Sequence, residues 1–78
     1  MDQLPKIRWR ARRGMREMDQ LFDRYLDNHY PTAPADEKAL LIELLEMQDP
    51  ELFDLLLLRV PAKSDAQEQL IRKLNPNL

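Results

Sequence analysis

The chain has 78 residues, a net charge of −2 and no cysteine; 44% of its residues are hydrophobic and 33% are charged. This length allows one domain at most, residues 1–78, and the composition is typical of a globular rather than a disordered protein. The missing cysteines exclude disulfides, thiolate metal sites and a cysteine nucleophile, while a single histidine and a single glycine exclude a histidine pair and a glycine-rich phosphate loop.

Five short helices are predicted, and prolines and one glycine separate them. In chain order they run from Lys6 to Arg13, from Met15 to the residues before Pro31, from about Ala35 to Met47, from Pro50 to about Leu58, and from Ser64 to the residues before Asn75. The second helix has apolar residues at spacings of three and four, which marks one buried face. The fourth is apolar almost all round, as central helices are. Since no segment shows the period of a strand, we expect an all-α fold, a compact bundle of five short helices.

Several helix ends carry local signals. Gly14 follows the first helix and suits a left-handed turn. Asp49 precedes a proline and can cap the start of the fourth helix. Ser64 and Gln67 fit a capping box for the fifth. His29 lies near the end of the second helix, where we interpret it as a capping residue rather than a ligand.

The charge is distributed unevenly along the chain. Residues 1–18 contain six basic and two acidic residues, a local charge of +4, whereas residues 19–78 contain six basic and twelve acidic residues, a local charge of −6. One end of the molecule should therefore attract anions. No apolar run approaches the roughly 18 residues of a membrane span, and the N-terminus lacks the apolar core of a secretion signal. We expect no membrane insertion and an intracellular location.

The segment from Lys6 to Glu17 is the most informative for function because tryptophan and arginine are enriched at binding hot spots. Its candidate partner-binding residues are Arg8, Trp9, Arg12, Arg13, Gly14, Arg16 and Glu17. In a continuous helix, the arginines at 8, 12 and 16 would share one face. The glycine permits close approach of another backbone or a ligand, and Arg13 and Glu17 are spaced to interact across the turn.

Each of these residues also has a purely structural interpretation. The basic run can be a solvated face, and Glu17 can form an ordinary surface ion pair with a neighbouring arginine. We expect Trp9 to lie at least partly in the core, because so small a domain needs its aromatic area.

The sequence Arg13-Gly14-Met15-Arg16-Glu17 resembles the RGxxE signature of the succinate dehydrogenase FAD assembly factors. A short basic helix with a tryptophan precedes it, and an amphipathic helix ending at Tyr30 follows. The order of Asp36-Glu37-Lys38, Leu44-Leu45-Glu46 and Asp49-Pro50-Glu51-Leu52-Phe53 is also similar, so the resemblance covers about residues 6 to 60. One departure is Pro34, which stands where bacterial relatives have the serine of a capping box.

The resemblance implies a helical bundle that binds the flavoprotein subunit of succinate dehydrogenase, and in bacteria of fumarate reductase. Family members promote the bond between a histidine of that subunit and the 8α carbon of FAD. The family's motif positions fall here on Arg13, Gly14 and Glu17. The resemblance further implies that the chain is not an enzyme and binds no cofactor stably, since FAD is carried by the partner. We expect a monomer that forms a transient heterodimer in the bacterial cytoplasm rather than the mitochondrial matrix.

Three alternatives remain open at this stage. The arginine cluster could bind nucleic acid, although the acidic remainder of the chain and the lack of a recognition motif oppose this. Some members of the family have been described as antitoxin-like regulators, which is a second possibility. A helical protein that binds free FAD is the third, and the lack of a dinucleotide-binding loop opposes it.

Overall fold

The computed structural model describes residues 4–78. This part of the chain contains five α-helices and one turn of 3-10 helix. In chain order they are α1 (Leu4–Ala11), α2 (Arg16–Asn28), the 3-10 turn (Tyr30–Thr32), α3 (Ala35–Leu45), α4 (Asp49–Leu56) and α5 (Asp65–Leu74). The predicted all-α bundle of five short helices is confirmed.

Three of the helices end two residues earlier than predicted. In α1, α3 and α4 the last turn is closed by a backbone bond over three residues rather than four, which tightens the chain and stops the helix. These bonds run from Arg12 N to Trp9 O at 3.2 Å, from Met47 N to Leu44 O at 3.1 Å, and from Leu58 N to Leu55 O at 3.0 Å.

All five helices contribute to one hydrophobic core. The buried face of α2 has the predicted spacing of three and four, with Met18, Phe22, Tyr25 and Leu26 all buried. α4 buries Leu52, Leu55 and Leu56, while Phe53 and the two leucines just after the helix, Leu57 and Leu58, are only partly buried. Helices of 8 to 13 residues are marginal in isolation, so this shared core is what keeps them folded.

The first two helices form an antiparallel hairpin. Arg8 of α1 pairs with Asp27 of α2 and lies 3.9 Å from Asp23, while Arg12, just past the end of α1, lies 3.9 Å from Asp23. Residue numbers thus rise along one helix as they fall along the other. Among residues 5–11 of α1, Ile7 and Ala11 are buried.

Side chains from other parts of the chain cap the C-terminal ends of two helices. The Arg24 guanidinium of α2 donates to the carbonyl oxygens of Lys73, at 3.1 Å, and Leu74, at 2.8 Å, at the end of α5. The Asn75 amide, just after α5, donates to the Leu56 carbonyl oxygen at the end of α4 at 3.0 Å. Without such donors these carbonyls would depend on water alone.

The start of α5 confirms the predicted capping box in part. Ser64 Oγ accepts a hydrogen bond from the Gln67 backbone N–H at 3.1 Å. The Gln67 side chain, however, accepts from the Lys63 backbone N–H at 2.7 Å, one residue before the position that a capping box requires.

At the start of α4 the prediction of an aspartate cap is wrong. Gln48 occupies the capping position and makes no side-chain cap, and Asp49 is already the first helical residue. Its carboxylate instead pairs with Arg13, more than thirty residues earlier in the sequence. His29 lies at the C-cap of α2, as expected.

A polar cluster ties α2, α3 and α5 together at Glu37. Its carboxylate accepts from the Tyr25 hydroxyl and from Lys73 Nζ, each at 2.6 Å. Burial alone would raise the pKa of Glu37, but the bonds from Lys73 and Tyr25 favour the charged carboxylate and leave its pKa below the usual value. Burial, and the bond to the Glu37 carboxylate, raise the pKa of the Tyr25 hydroxyl.

These shifts predict how stability depends on pH. Because the pKa of Glu37 is lower in the folded state, this residue stabilises the fold fully above its unfolded pKa of about 4.5. That stabilisation is lost as the pH falls through the lower pKa of the folded state. The pKa of the Tyr25 hydroxyl is instead higher in the folded state. Its stabilisation of the fold is therefore fully present below about pH 10 and is lost as the pH rises beyond that.

Glu37→Gln is expected to lower the free energy of unfolding at neutral pH by about 1–3 kcal/mol, since it removes two charge-assisted hydrogen bonds. It should also flatten the loss of stability on the acid side, as followed by urea unfolding and circular dichroism between about pH 3 and pH 7. The control is Glu68→Gln, which breaks only the exposed ion pair with Arg72 at 3.1 Å and should cost at most about 0.5 kcal/mol. Equal losses in both variants would contradict a structural role for the Glu37 cluster.

Candidate functional site

The turn between α1 and α2 carries the RGxxE positions, and Gly14 is exposed there. Its backbone is left-handed, with φ at +77°, a conformation that L side chains rarely adopt. A Cβ atom built at this position would meet nothing within 4 Å. The glycine therefore meets a backbone requirement and leaves open space beside the turn, so another molecule can approach the main chain closely.

Arg13, next to this glycine, points the other way and ties the turn to the connection between α3 and α4. Its Nη1 donates to the Met47 carbonyl oxygen at 2.9 Å and to Asp49 Oδ1 at 3.1 Å, and its Nη2 donates to the Leu45 carbonyl oxygen. Its Nε donates to the Arg10 carbonyl oxygen at 3.1 Å. We call this set of bonds the Arg13 clamp. It satisfies carbonyls at the end of α3 that the helix itself leaves unpaired.

The Arg13 side chain is only 15% exposed. The expected interaction between Arg13 and Glu17 is wrong: within residues 4–78 the two make no hydrogen bond or ion pair. The carboxylate that interacts with Arg13 across the turn is that of Asp19, which accepts a hydrogen bond from the Arg13 backbone N–H at 3.0 Å. Glu17 is exposed, and its carboxylate has no ion-pair partner within the part of the chain that the structure describes.

Trp9 is 79% exposed, so the expectation that it lies partly in the core is wrong. The helical period explains its position. Ile7 and Ala11 are buried residues of α1, and Trp9 lies two positions from each, about 200° around the helix axis. It therefore occupies the outer face, where a large aromatic ring is free to contact another molecule.

The arginines do not share one face. α1 ends at Ala11 and α2 begins at Arg16, so no continuous helix aligns positions 8, 12 and 16. Arg8 pairs with two aspartates of α2, and Arg12 lies at the edge of ion-pair distance from one of them. Arg16 is exposed, and no carboxylate within residues 4–78 pairs with it.

A groove lies beside the Arg13 clamp, between α1 and the connection from α3 to α4. Its volume is about 850 Å³, and it is open to solvent. Trp9, Arg10 and Arg12 line one side, residues 45–49 line the other, and Arg13 spans the two. Sequence reasoning missed Arg10 and the second wall. The lining of this groove depends on contacts between residues more than thirty positions apart, which local spacing does not reveal.

Within residues 4–78, no group of three or more histidine, aspartate or glutamate side chains is placed to hold a metal ion. In the same range, no helix is long and apolar enough to cross a membrane.

Arg13→Met is expected to lower the free energy of unfolding by about 2–3 kcal/mol, because it leaves three carbonyls and the Asp49 carboxylate without this donor. Arg13→Lys should cost less, since a single ammonium keeps the charge but cannot reach all the acceptors. The matched control is Arg12→Met, which should change stability by less than about 0.5 kcal/mol. Urea unfolding followed by circular dichroism measures all three, and similar losses for the variants at 12 and 13 would refute the clamp.

Comparison with known proteins agrees with the family resemblance. A family model described as "Flavinator of succinate dehydrogenase" matches residues 5–77. The chain is 46% identical over 69 residues to the FAD assembly factor SdhE of Acinetobacter baylyi, covering 88% of this chain and 81% of that protein. It is 39% identical over 69 residues to the FAD assembly factor SdhE of Coxiella burnetii, covering 88% and 84%.

A shorter match, 48% identical over 50 residues, is with the FAD assembly factor SdhE of Shewanella oneidensis, of which it covers 61%. None of these names supports the nucleic-acid-binding or antitoxin-like alternatives. No solved structure matches the chain. Since the family model spans almost all of the 78 residues and the first two relatives are aligned over most of their length, the chain belongs to the family of flavinators of succinate dehydrogenase.

Proposed function

We propose that this chain is an assembly factor that binds the flavoprotein subunit of succinate dehydrogenase and promotes covalent attachment of FAD to it. The observation that carries the proposal is the turn at Gly14: an exposed left-handed glycine with open space beside it, in the motif that resembles the family signature. Trp9, Arg16 and Glu17 are exposed around the same corner of the molecule and supply side chains for contact with a client.

The chain acts by docking, as a binding partner rather than an enzyme. The acceptor histidine and the FAD both belong to the client, and this chain holds the client in the conformation that brings the histidine to the 8α carbon of the flavin. Fixing one geometry of two reacting groups removes much of the entropic barrier to their reaction. The chain binds no FAD of its own in this scheme, and a purified sample without the visible absorbance of flavin would agree with it.

The motif divides into two roles. The Arg13 clamp holds the turn in place, with its guanidinium turned towards the α3–α4 connection. Gly14 and Glu17 face outwards. Because the Arg13 guanidinium is engaged elsewhere, Glu17 is left to pair with a cation of the client.

Several finer points belong to the same proposal. The flavoprotein subunit of fumarate reductase is a second client, the chain acts as a monomer in a transient heterodimer, and it works in the bacterial cytoplasm. Nucleic acid is not a partner. The pairing of Arg8 with two aspartates supports this last point, since it lowers the charge available for binding phosphates.

Gly14→Asn is expected to abolish flavinylation while leaving the fold intact. Asparagine tolerates the left-handed backbone better than other non-glycine residues, and its side chain would project into the space that a client needs. The assay is in-gel flavin fluorescence of the denatured succinate dehydrogenase flavoprotein, in cells that lack this protein and carry either the wild-type chain or a variant. Wild type should restore the fluorescent band and Gly14→Asn should not.

The control for this assay is Gln69→Asn, at an exposed position of α5 outside the motif. It should restore flavinylation like the wild type. Circular dichroism must show that both variants are folded. If the folded Gly14→Asn variant supported full flavinylation, docking through this corner would be refuted; if cells without the protein flavinylated normally, the assembly function itself would be refuted.

A further inference from the structure

The groove beside the Arg13 clamp is distinct in position from the outer side of the Gly14 turn. It begins at Trp9 and lies between the end of α1 and the connection from α3 to α4. Its two walls come from parts of the chain that are more than thirty residues apart, and Arg13 joins them through its bonds to Leu45, Met47 and Asp49. Arg13 thus bridges the two walls, and a surface held in this way loses little conformational freedom on binding.

The charges of the two walls differ. Arg10 is half-buried on the α1 wall, and no carboxylate within residues 4–78 pairs with it. Arg12 adds a second guanidinium, only weakly compensated by Asp23 at 3.9 Å. On the opposite wall Asp49 is neutralised by Arg13 at 3.1 Å, which leaves exposed Glu46 as its remaining charge. The α1 wall is therefore the cationic side of the groove.

The groove also offers apolar surface. The Trp9 ring is almost fully exposed, and Met47 on the opposite wall is half-buried against the core. The Leu45 and Met47 carbonyls already accept bonds from Arg13, so an occupant does not need to satisfy them. Tryptophan and arginine are among the residue types most enriched at binding hot spots.

From this arrangement we propose that the groove is a second part of the client-binding surface. It receives a segment of the flavoprotein that places an acidic side chain against Arg10 and an apolar side chain between Trp9 and Met47. The docking face would then extend from the α1–α2 turn across to the connection between α3 and α4. This inference rests on the proposed function, because it assumes the same client.

The experiment measures affinity for purified flavoprotein subunit loaded with non-covalent FAD, by biolayer interferometry, with circular dichroism to show that each variant is folded. Arg10→Glu should weaken binding at least tenfold, because it places a carboxylate against the client's acidic side chain. Trp9→Ala should weaken it at least tenfold through the lost apolar contact. Glu46→Lys is the matched charge reversal on the other wall, and should leave affinity unchanged or raise it.

Salt dependence provides a second readout that loss of stability would not move. Wild-type affinity should fall as ionic strength rises, and Arg10→Ala should reduce that slope, since one screened attraction is gone. The affinities of two further variants are measured in the same way. Gly14→Asn tests the proposed docking turn, and Gln69→Asn is the control on an unrelated surface.

The outcomes separate this inference from the proposed function. If Arg10→Glu binds like wild type while Gly14→Asn does not, the groove inference is overturned and docking at the turn stands; Trp9→Ala does not separate the two, because Trp9 is placed in both surfaces. If Glu46→Lys weakens binding and Arg10→Glu does not, the occupant has the opposite charge and the inference is equally overturned. If wild type fails to bind the flavoprotein at all, the proposed function fails first. Should Arg10→Glu change only self-association of this chain, the groove joins two copies, and the proposal is wrong.

Discussion

The arrangement of this small domain depends on satisfying the carbonyl groups at the ends of short helices. Each helix leaves up to four carbonyls without an internal partner, and in helices of 8 to 13 residues those groups form a large share of the backbone. Here donors come from elsewhere in the chain: Arg13 reaches the end of α3, Arg24 the end of α5 and Asn75 the end of α4. Each of these bonds also joins two parts of the chain that are distant in sequence, so it caps a helix and contributes to tertiary packing at the same time.

Arg13 shows how this requirement shapes the functional corner. A residue in a motif that resembles a family signature would ordinarily be interpreted as a contact with the partner. In this fold its guanidinium is occupied by acceptors from α1 and from the α3–α4 connection. Its neighbour Gly14 adopts a left-handed conformation, which is open to it because it has no Cβ atom, and the clamp holds the residue before it in place. A rigid turn is able to present a backbone without losing conformational entropy on binding.

Much of the fold could be predicted from local sequence, because prolines, apolar periodicity and a serine cap are local signals. What could not be predicted depends on distant contacts. The face of α1 that becomes buried depends on how the helix packs against α2 and α3. In this packing Trp9 lies on the solvent-exposed face. Asp49 has every local feature of a helix cap, yet an arginine 36 positions earlier competes for its carboxylate. Arg10 belongs to the basic N-terminal segment but was not predicted to bind a partner, because the wall opposite it comes from residues 45–49, which are distant in sequence.

The open space beside Gly14 has a consequence for inherited variation. A Cβ atom there meets no neighbouring atom within 4 Å, so the main cost of adding one is backbone strain of about 1–2 kcal/mol. The cell's chaperones and proteases remove proteins according to how often they unfold. A loss of that size raises the unfolded fraction about 5- to 30-fold, so a substitution at this position would lower the amount of the protein in the cell as well as its ability to dock, and the resulting phenotype would combine both effects.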